Sequence, residues 1–209
     1  MRKTLAVIMS LFCLLYLCNA YAEQYPATFS LRDGLKFGST EEEIRAAMAG
    51  STELTEGKLL GWASMGYDGD VGGKKATICF RLDSDKKLVE MGYQFECNSA
   101  SETLSLYDYY RELLTKKYGE ELSIPEGKSH ILTGSALSGI ASAGIKGKSE
   151  WLIQDGDNYI KIDLFAFSVN VYGVSVAHTD IAYTCFTQED LNQAVDQKND
   201  SQQAVLDDL

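Results

Sequence analysis

Met65 to Phe95, MGYDGDVGGKKATICFRLDSDKKLVEMGYQF, is the stretch that decides how this 209-residue chain folds. Apolar and polar residues alternate along it, and clusters of Asp, Gly, Ser and Lys break the alternation at Asp68–Gly73 and Asp83–Leu88. That is the pattern of half-buried strands joined by hairpin loops. With those two clusters as loops, Ala76, Ile78, Phe80 and Leu82 face Phe95, Tyr93, Met91 and Val89. Met65, Ala63, Gly61 and Leu59 meet the same middle strand from its other side. The reverse face then pairs Arg81 with Glu90, Lys75 with Glu96 and Thr77 with Gln94. A slip of one residue would destroy this sorting of apolar and opposite-charge neighbours, so the expectation is a three-stranded antiparallel meander. In that register Cys79 lies on the polar face between Trp62 and Gly92. Leu60 and Trp62 share the face and become the candidate binding residues, since exposed apolar side chains there mark a contact patch.

A helix follows directly. Ser99 with Glu102 forms the pattern of a capping box, and Leu106, Tyr107, Tyr110, Leu113, Leu114 and Tyr118 recur at three- and four-residue steps. Lys116 and Lys117 suit the negative end of the dipole, and Gly119 supplies a left-handed exit. A shorter helix is expected upstream, with Thr40–Glu43 as a second capping box, Ile44, Ala47 and Met48 as its apolar side and Gly50 as its end.

Beyond the long helix, Lys128–Lys148 is rich in Gly, Ser and Ala and reads as a loop with a short strand near His130. Strands are expected over Ser149–Gln154 and Asp157–Phe167, joined by an Asp155-Gly156 turn. This places Glu150 opposite Lys161 and Lys148 opposite Asp163, with Trp151 and Ile153 on the face of Ile160, Ile162 and Leu164. Val169–Phe186 is strand-rich, but its alternation breaks around His178–Asp180, where a bulge or a turn fits. Thr187–Asp190 has the residues to cap a last short helix before an acidic polar tail.

These segments predict an α+β fold: two helix-then-antiparallel-strand units packed as one domain, with the helices on one face of the sheet. Unit one spans about 30–97 and unit two about 99–187, within a domain of 23–187 followed by a tail of 188–209. Residues 1–22 read as a secretory signal peptide: Arg2 and Lys3, an apolar run from Leu5 to Leu17, then Ala20-Tyr21-Ala22 before the expected mature start at Glu23. The run is too short to span a bilayer, so no transmembrane segment is expected after its removal. The expected compartment is outside the cytoplasmic membrane: secreted, periplasmic or attached to the cell envelope.

The formal charge of −11 repels phosphate backbones, so nucleic acid is not an expected partner. Cys13 and Cys18 leave with the signal, and Cys79, Cys97 and Cys185 remain. Cys79 and Cys97 fall on different faces of the meander, and no disulfide is expected. No cofactor and no metal site is expected. Asp68-x-Asp70 and Asp155-x-Asp157 start like calcium loops, but their twelfth positions are Cys79 and Ala166, so both read as turn aspartates. His130 and His178 are too far apart for zinc spacing. Gly147-Lys148-Ser149 has Ser142 where a phosphate loop needs its first glycine, and a strand rather than a helix follows. Ile140–Gly144 lacks the first glycine of a nucleophile elbow.

Leu35-Lys36-Phe37-Gly38-Ser39-Thr40-Glu41-Glu42-Glu43-Ile44, closing at Gly50, resembles the "F-G-M-T-x-x-E-V…G" leading helix of exported bacterial proteins with SmpA/BamE-like and β-lactamase-inhibitor-protein-like folds. Ser39 stands where that pattern has Met. Leu113–Gly119 with Trp151 further resembles an "L-x-x-K-Y-G…W" pattern of uncharacterised secreted proteins of this kind. The resemblance implies small helix-plus-sheet modules that bind other proteins and perform no chemistry, and it carries over no site residue.

The first functional expectation is therefore a non-catalytic protein-binding or envelope-accessory module, with a protein or cell-envelope component as partner. Two alternatives are a small secreted hydrolase, with a site near the 128–148 loop and His130 or His178, and a purely structural envelope subunit.

Overall fold

The structure is a computed structural model that describes residues 29–55, 63–122, 144–171 and 174–187. A 3-10 turn at Arg32–Gly34 leads into α1 (Glu41–Ala47) and then β1 (Met65–Val71), β2 (Lys74–Leu82) and β3 (Leu88–Glu96). The long helix α2 (Ala100–Tyr118) follows, then β4 (Ile145–Asp155), β5 (Asn158–Val171) and β6 (Val174–Thr187). The strands form one six-stranded sheet in the order β1-β2-β3-β6-β5-β4. Every neighbouring pair is antiparallel. The fold is α+β, with both helices packed on the same face of the sheet. Among the described residues no helix is long and apolar enough to cross a membrane.

Strands β2 and β3 pair in the expected register: Thr77 faces Gln94, Ile78 Tyr93, Phe80 Met91 and Arg81 Glu90. The match ends at a bulge, where Leu82 meets Leu88 instead of Val89. The loop beyond it is held by Asp83, whose Oδ1 accepts from the N–H groups of Asp85 and Lys87 at 2.9 Å each.

The β1 register differs from the expectation. Gly72 and Gly73, at φ 62° and 80°, close a two-residue turn, so Asp68–Val71 is strand and not loop. A turn with both central residues at positive φ matches the twist of a tight hairpin, which is why it wins over a six-residue loop. Met65 consequently faces Phe80, not Ala76. The displacement is an even number of residues, so every side chain keeps its expected face. The expected strand residues 59–62 lie outside the described residues.

The β4–β5 hairpin departs in the same manner. Gly156 (φ 63°) and Asp157 form its turn and Asp155 pairs with Asn158, so the Asp155-Gly156 turn is corrected by one position. Glu150 then faces Asp163 instead of Lys161, and Lys148 faces Phe165 instead of Asp163. β4 also starts at Ile145, inside the stretch expected to be loop. β6 runs unbroken through His178–Asp180: Thr179 points inward, where its hydroxyl donates to the Thr103 carbonyl at 3.0 Å.

Helix α1 has its full capping box, with Thr40 and Glu43 satisfying each other's backbone N–H groups. At α2, Ser99 caps Glu102, but the Glu102 carboxylate reaches the Asn98 N–H at 2.7 Å rather than that of Ser99. Gly119 (φ 90°) ends the helix as expected. The buried stripe of α2 is narrower than its sequence suggests: Thr103, Tyr107, Tyr110 and Leu114 are buried, while Leu113 is 43% exposed. These residues lie on Trp151, Ile160, Ile162 and Leu164. Ile44 and Met48 of α1 cover Met65, Ile78, Phe80 and Met91. Burying each large apolar side chain contributes about 1.5–3 kcal/mol, so this inner face is what holds helices to sheet. Cys79, Cys97 and Cys185 form no disulfide.

Candidate functional site

Strand alternation sends every second residue to the face turned away from the helices. One row on that outer face crosses the whole sheet: Gly66, Cys79, Gly92, Ala182, Asp163, Glu150. All six are buried. The adjoining rows bring Arg81, Glu90, Thr184 and Lys161 to one side and Gln94, Asp180, Phe165 and Lys148 to the other. Small side chains thus floor the β1–β6 part of the row, and charged ones occupy its β5–β4 end.

The charges are paired. Arg81 Nη2 lies 2.8 Å from Glu90 Oε2, with Glu90 only 1% exposed. Lys161 Nζ lies 2.8 Å from Asp163 Oδ1 and 3.3 Å from Glu150 Oε1, and Lys148 also reaches Glu150. His178 Nδ1 sits 2.8 Å from Asp180 Oδ2, its ring stacked on Phe167 at 4.8 Å. Burial raises the Glu90 carboxyl above the usual carboxylate range, against the pull of Arg81. Burial, with Glu150 adding to it, pushes Asp163 up to about 7 despite Lys161. Burial also works against the charge on Glu150, but Lys148 and Lys161 outweigh it and hold that carboxylate low. Among the described residues, Glu90 Oε1 and Asp180 Oδ1 are buried with no hydrogen-bond partner. An orphaned buried acceptor costs about 1–3 kcal/mol, so this face carries a real destabilising load.

A second feature is the solvent side of α2. Tyr109 is 50% exposed and Leu113, one turn on, 43%. Leu106 is half-buried beside them, and Lys116 and Lys117 follow. On the other flank of α2, Asp108, Arg111, Glu112, Thr115, Lys116, Glu120 and Glu121 line an open depression of about 680 Å³. At its edge the Tyr107 hydroxyl donates to Ser149 Oγ at 2.7 Å, and Ser149 in turn donates to Glu121, which is paired with Arg111. This chain of hydrogen bonds ties the helix to β4 and to the segment after it.

The residues singled out from sequence divide unevenly. Leu60, Trp62, His130 and most of the 128–148 loop lie outside the described residues, as do the signal segment and the 188–209 tail. Asp70 and Asp155 act as turn and anchoring acceptors: Asp70 Oδ1 takes the Gly73 N–H at 2.7 Å and Asp155 Oδ2 the Phe29 N–H at 2.8 Å. The facing carboxylates Glu150 and Asp163 were missed by sequence reasoning. A glycine-first turn at Gly156-Asp157 was the signal that finds them.

No protein-family model matches the chain, and no curated protein matches it. Among solved structures, a DUF4309 family protein (YjgB) from Bacillus subtilis subsp. subtilis str. 168 is similar at 13% identity and a TM-score of 0.36, covering 76% of this chain and 87% of its own. The fold is defined by the strand pairing of its own sheet.

Proposed function

We propose that the chain is an exported, non-catalytic protein-binding or envelope-accessory module, built from two helix-then-strand units that share one sheet. The signal-like leader and the resemblance of Leu35–Gly50 to SmpA/BamE-like and β-lactamase-inhibitor-protein-like proteins support export and the modular reading. The observation that carries binding is the exposed pair Tyr109 and Leu113 on α2, an aromatic and an aliphatic side chain one turn apart beside two lysines. Aromatic anchors ringed by longer polar side chains are the usual core of a protein contact. Leu60 and Trp62 remain a second proposed contact.

The test is capture of partners from the producing organism's envelope fraction by the mature chain, its Tyr109→Ser/Leu113→Ser form and its Leu60→Ala/Trp62→Ala form. The α2 double variant should lose about tenfold or more in affinity for the captured partner, the scale of one hot-spot contact. It should also keep its unfolding free energy within about 0.5 kcal/mol, because surface changes rarely cost more. Undiminished capture by both variants overturns the assignment.

A further inference from the structure

We propose that Glu150 and Asp163 act as a proton-holding clasp across the β4–β5 edge, so that withdrawing the proton loosens the outermost strand. β4 ends the sheet, and only β5 pairs with it along its length among the described strands. On its other side the Leu122 N–H donates to the Glu150 carbonyl at 2.7 Å.

The two carboxyls stand directly opposite one another, 7% and 4% exposed. Side chains so placed have Cβ atoms about 4.5–5.5 Å apart, and two buried carboxylates at that range resist ionising together. Among the described residues, the groups facing them are Lys148 from β4, Lys161 from β5, Asp180 from β6 and, beyond Lys161, Glu90 from β3. The helices pack on the opposite face of the sheet. Lys148 and Lys161 both reach Glu150, whereas Asp163 has Lys161 as its cationic contact. The proton therefore settles on Asp163, where it is donated to the Glu150 carboxylate across the strand gap.

An unfolded Asp titrates near 3.9, so the folded chain with Asp163 at about 7 holds the extra proton in between. Stability from this group is complete below about pH 4 and is lost as pH rises through about 7. Glu150, held low, acts in the opposite sense and only below its unfolded value of about 4.3, so it does not mask the neutral window. Glu90, raised by burial, acts in the same sense as Asp163.

The experiment is a carboxyl ¹³C NMR titration of the full chain from about pH 4 to 9, with amide exchange of β4 and urea midpoints read at the same points. One carboxyl should inflect near pH 7. β4 amides, corrected for intrinsic exchange, should open about tenfold more readily at the alkaline end, the factor that about 1.4 kcal/mol produces. Asp163→Asn should remove both signals, Glu150→Gln should move the inflection to lower pH, and Glu90→Gln should leave it in place. If every carboxyl of the wild-type chain inflects below about pH 5, the clasp is overturned without reference to any variant. It is equally overturned if Asp163→Asn keeps the neutral inflection, if Glu150→Gln leaves it unmoved, or if Glu90→Gln abolishes it.

Discussion

Turned toward α1 and α2, the sheet presents Phe80, Phe95, Trp151 and Ile162, none more than 1% exposed. Turned the other way, from neighbouring positions on the same strands, it presents Glu90, Glu150, Lys161, Asp163 and Asp180, none more than 7% exposed. Burial is nearly equal in these two sets of residues, but what makes it tolerable differs. On the inner face, stability follows from apolar area and fit. On the outer face Glu90, Glu150 and Lys161 have lost their water, and each is tolerated because an oppositely charged partner stands beside it. The two faces therefore fail differently: the inner one when a side chain shrinks or grows, the outer one when a partner is removed.

Trp151→Ala should have the largest effect. The indole is 1% exposed and its N–H donates to the Gly119 carbonyl at 3.1 Å, so the change opens a cavity and frees the helix end. Urea unfolding should show a loss of about 3–5 kcal/mol. Gly147→Ala probes the inner face in the other direction. A Cβ there would meet the Tyr107 ring at 3.0 Å, and that ring is fixed by its bond to Ser149. The expected cost is about 1–3 kcal/mol by the same measurement, the usual penalty of overpacking. A neutral outcome for either would mean that the inner face is looser than the contacts imply.

How far the sequence disclosed this arrangement depended on turns. The β2–β3 register was legible because Arg81–Glu90 and the apolar pairs agree on one alignment. The β1 and β4 registers were misjudged because Gly72-Gly73 and Gly156-Asp157 each turn the chain in two residues, at positions other than those expected. Both displacements are even, so face assignment survived while cross-strand partners changed. That is why the inner core was readable and the Glu150–Asp163 pair was not: a two-residue shift replaced a lysine by an aspartate opposite Glu150. The stripe of α2 was overestimated for a related reason. Periodicity marks apolar residues but not how wide a stripe the sheet covers, and Leu113 stays on the solvent side of the helix. Leu60 and Trp62 fall in a segment outside the described residues, so the proposed contact there rests on sequence.

Whether buried charges on the outer face are sustained by their partners is decided at Arg81 and Glu90. Their stabilities form a double-mutant cycle from Arg81→Met, Glu90→Leu and the double variant, read by urea unfolding at pH 7. Arg81→Met alone should cost about 3 kcal/mol, because it strands a buried carboxylate, and the double variant should recover most of that loss. Additive losses, with the double variant as unstable as the two single changes together, would contradict that dependence.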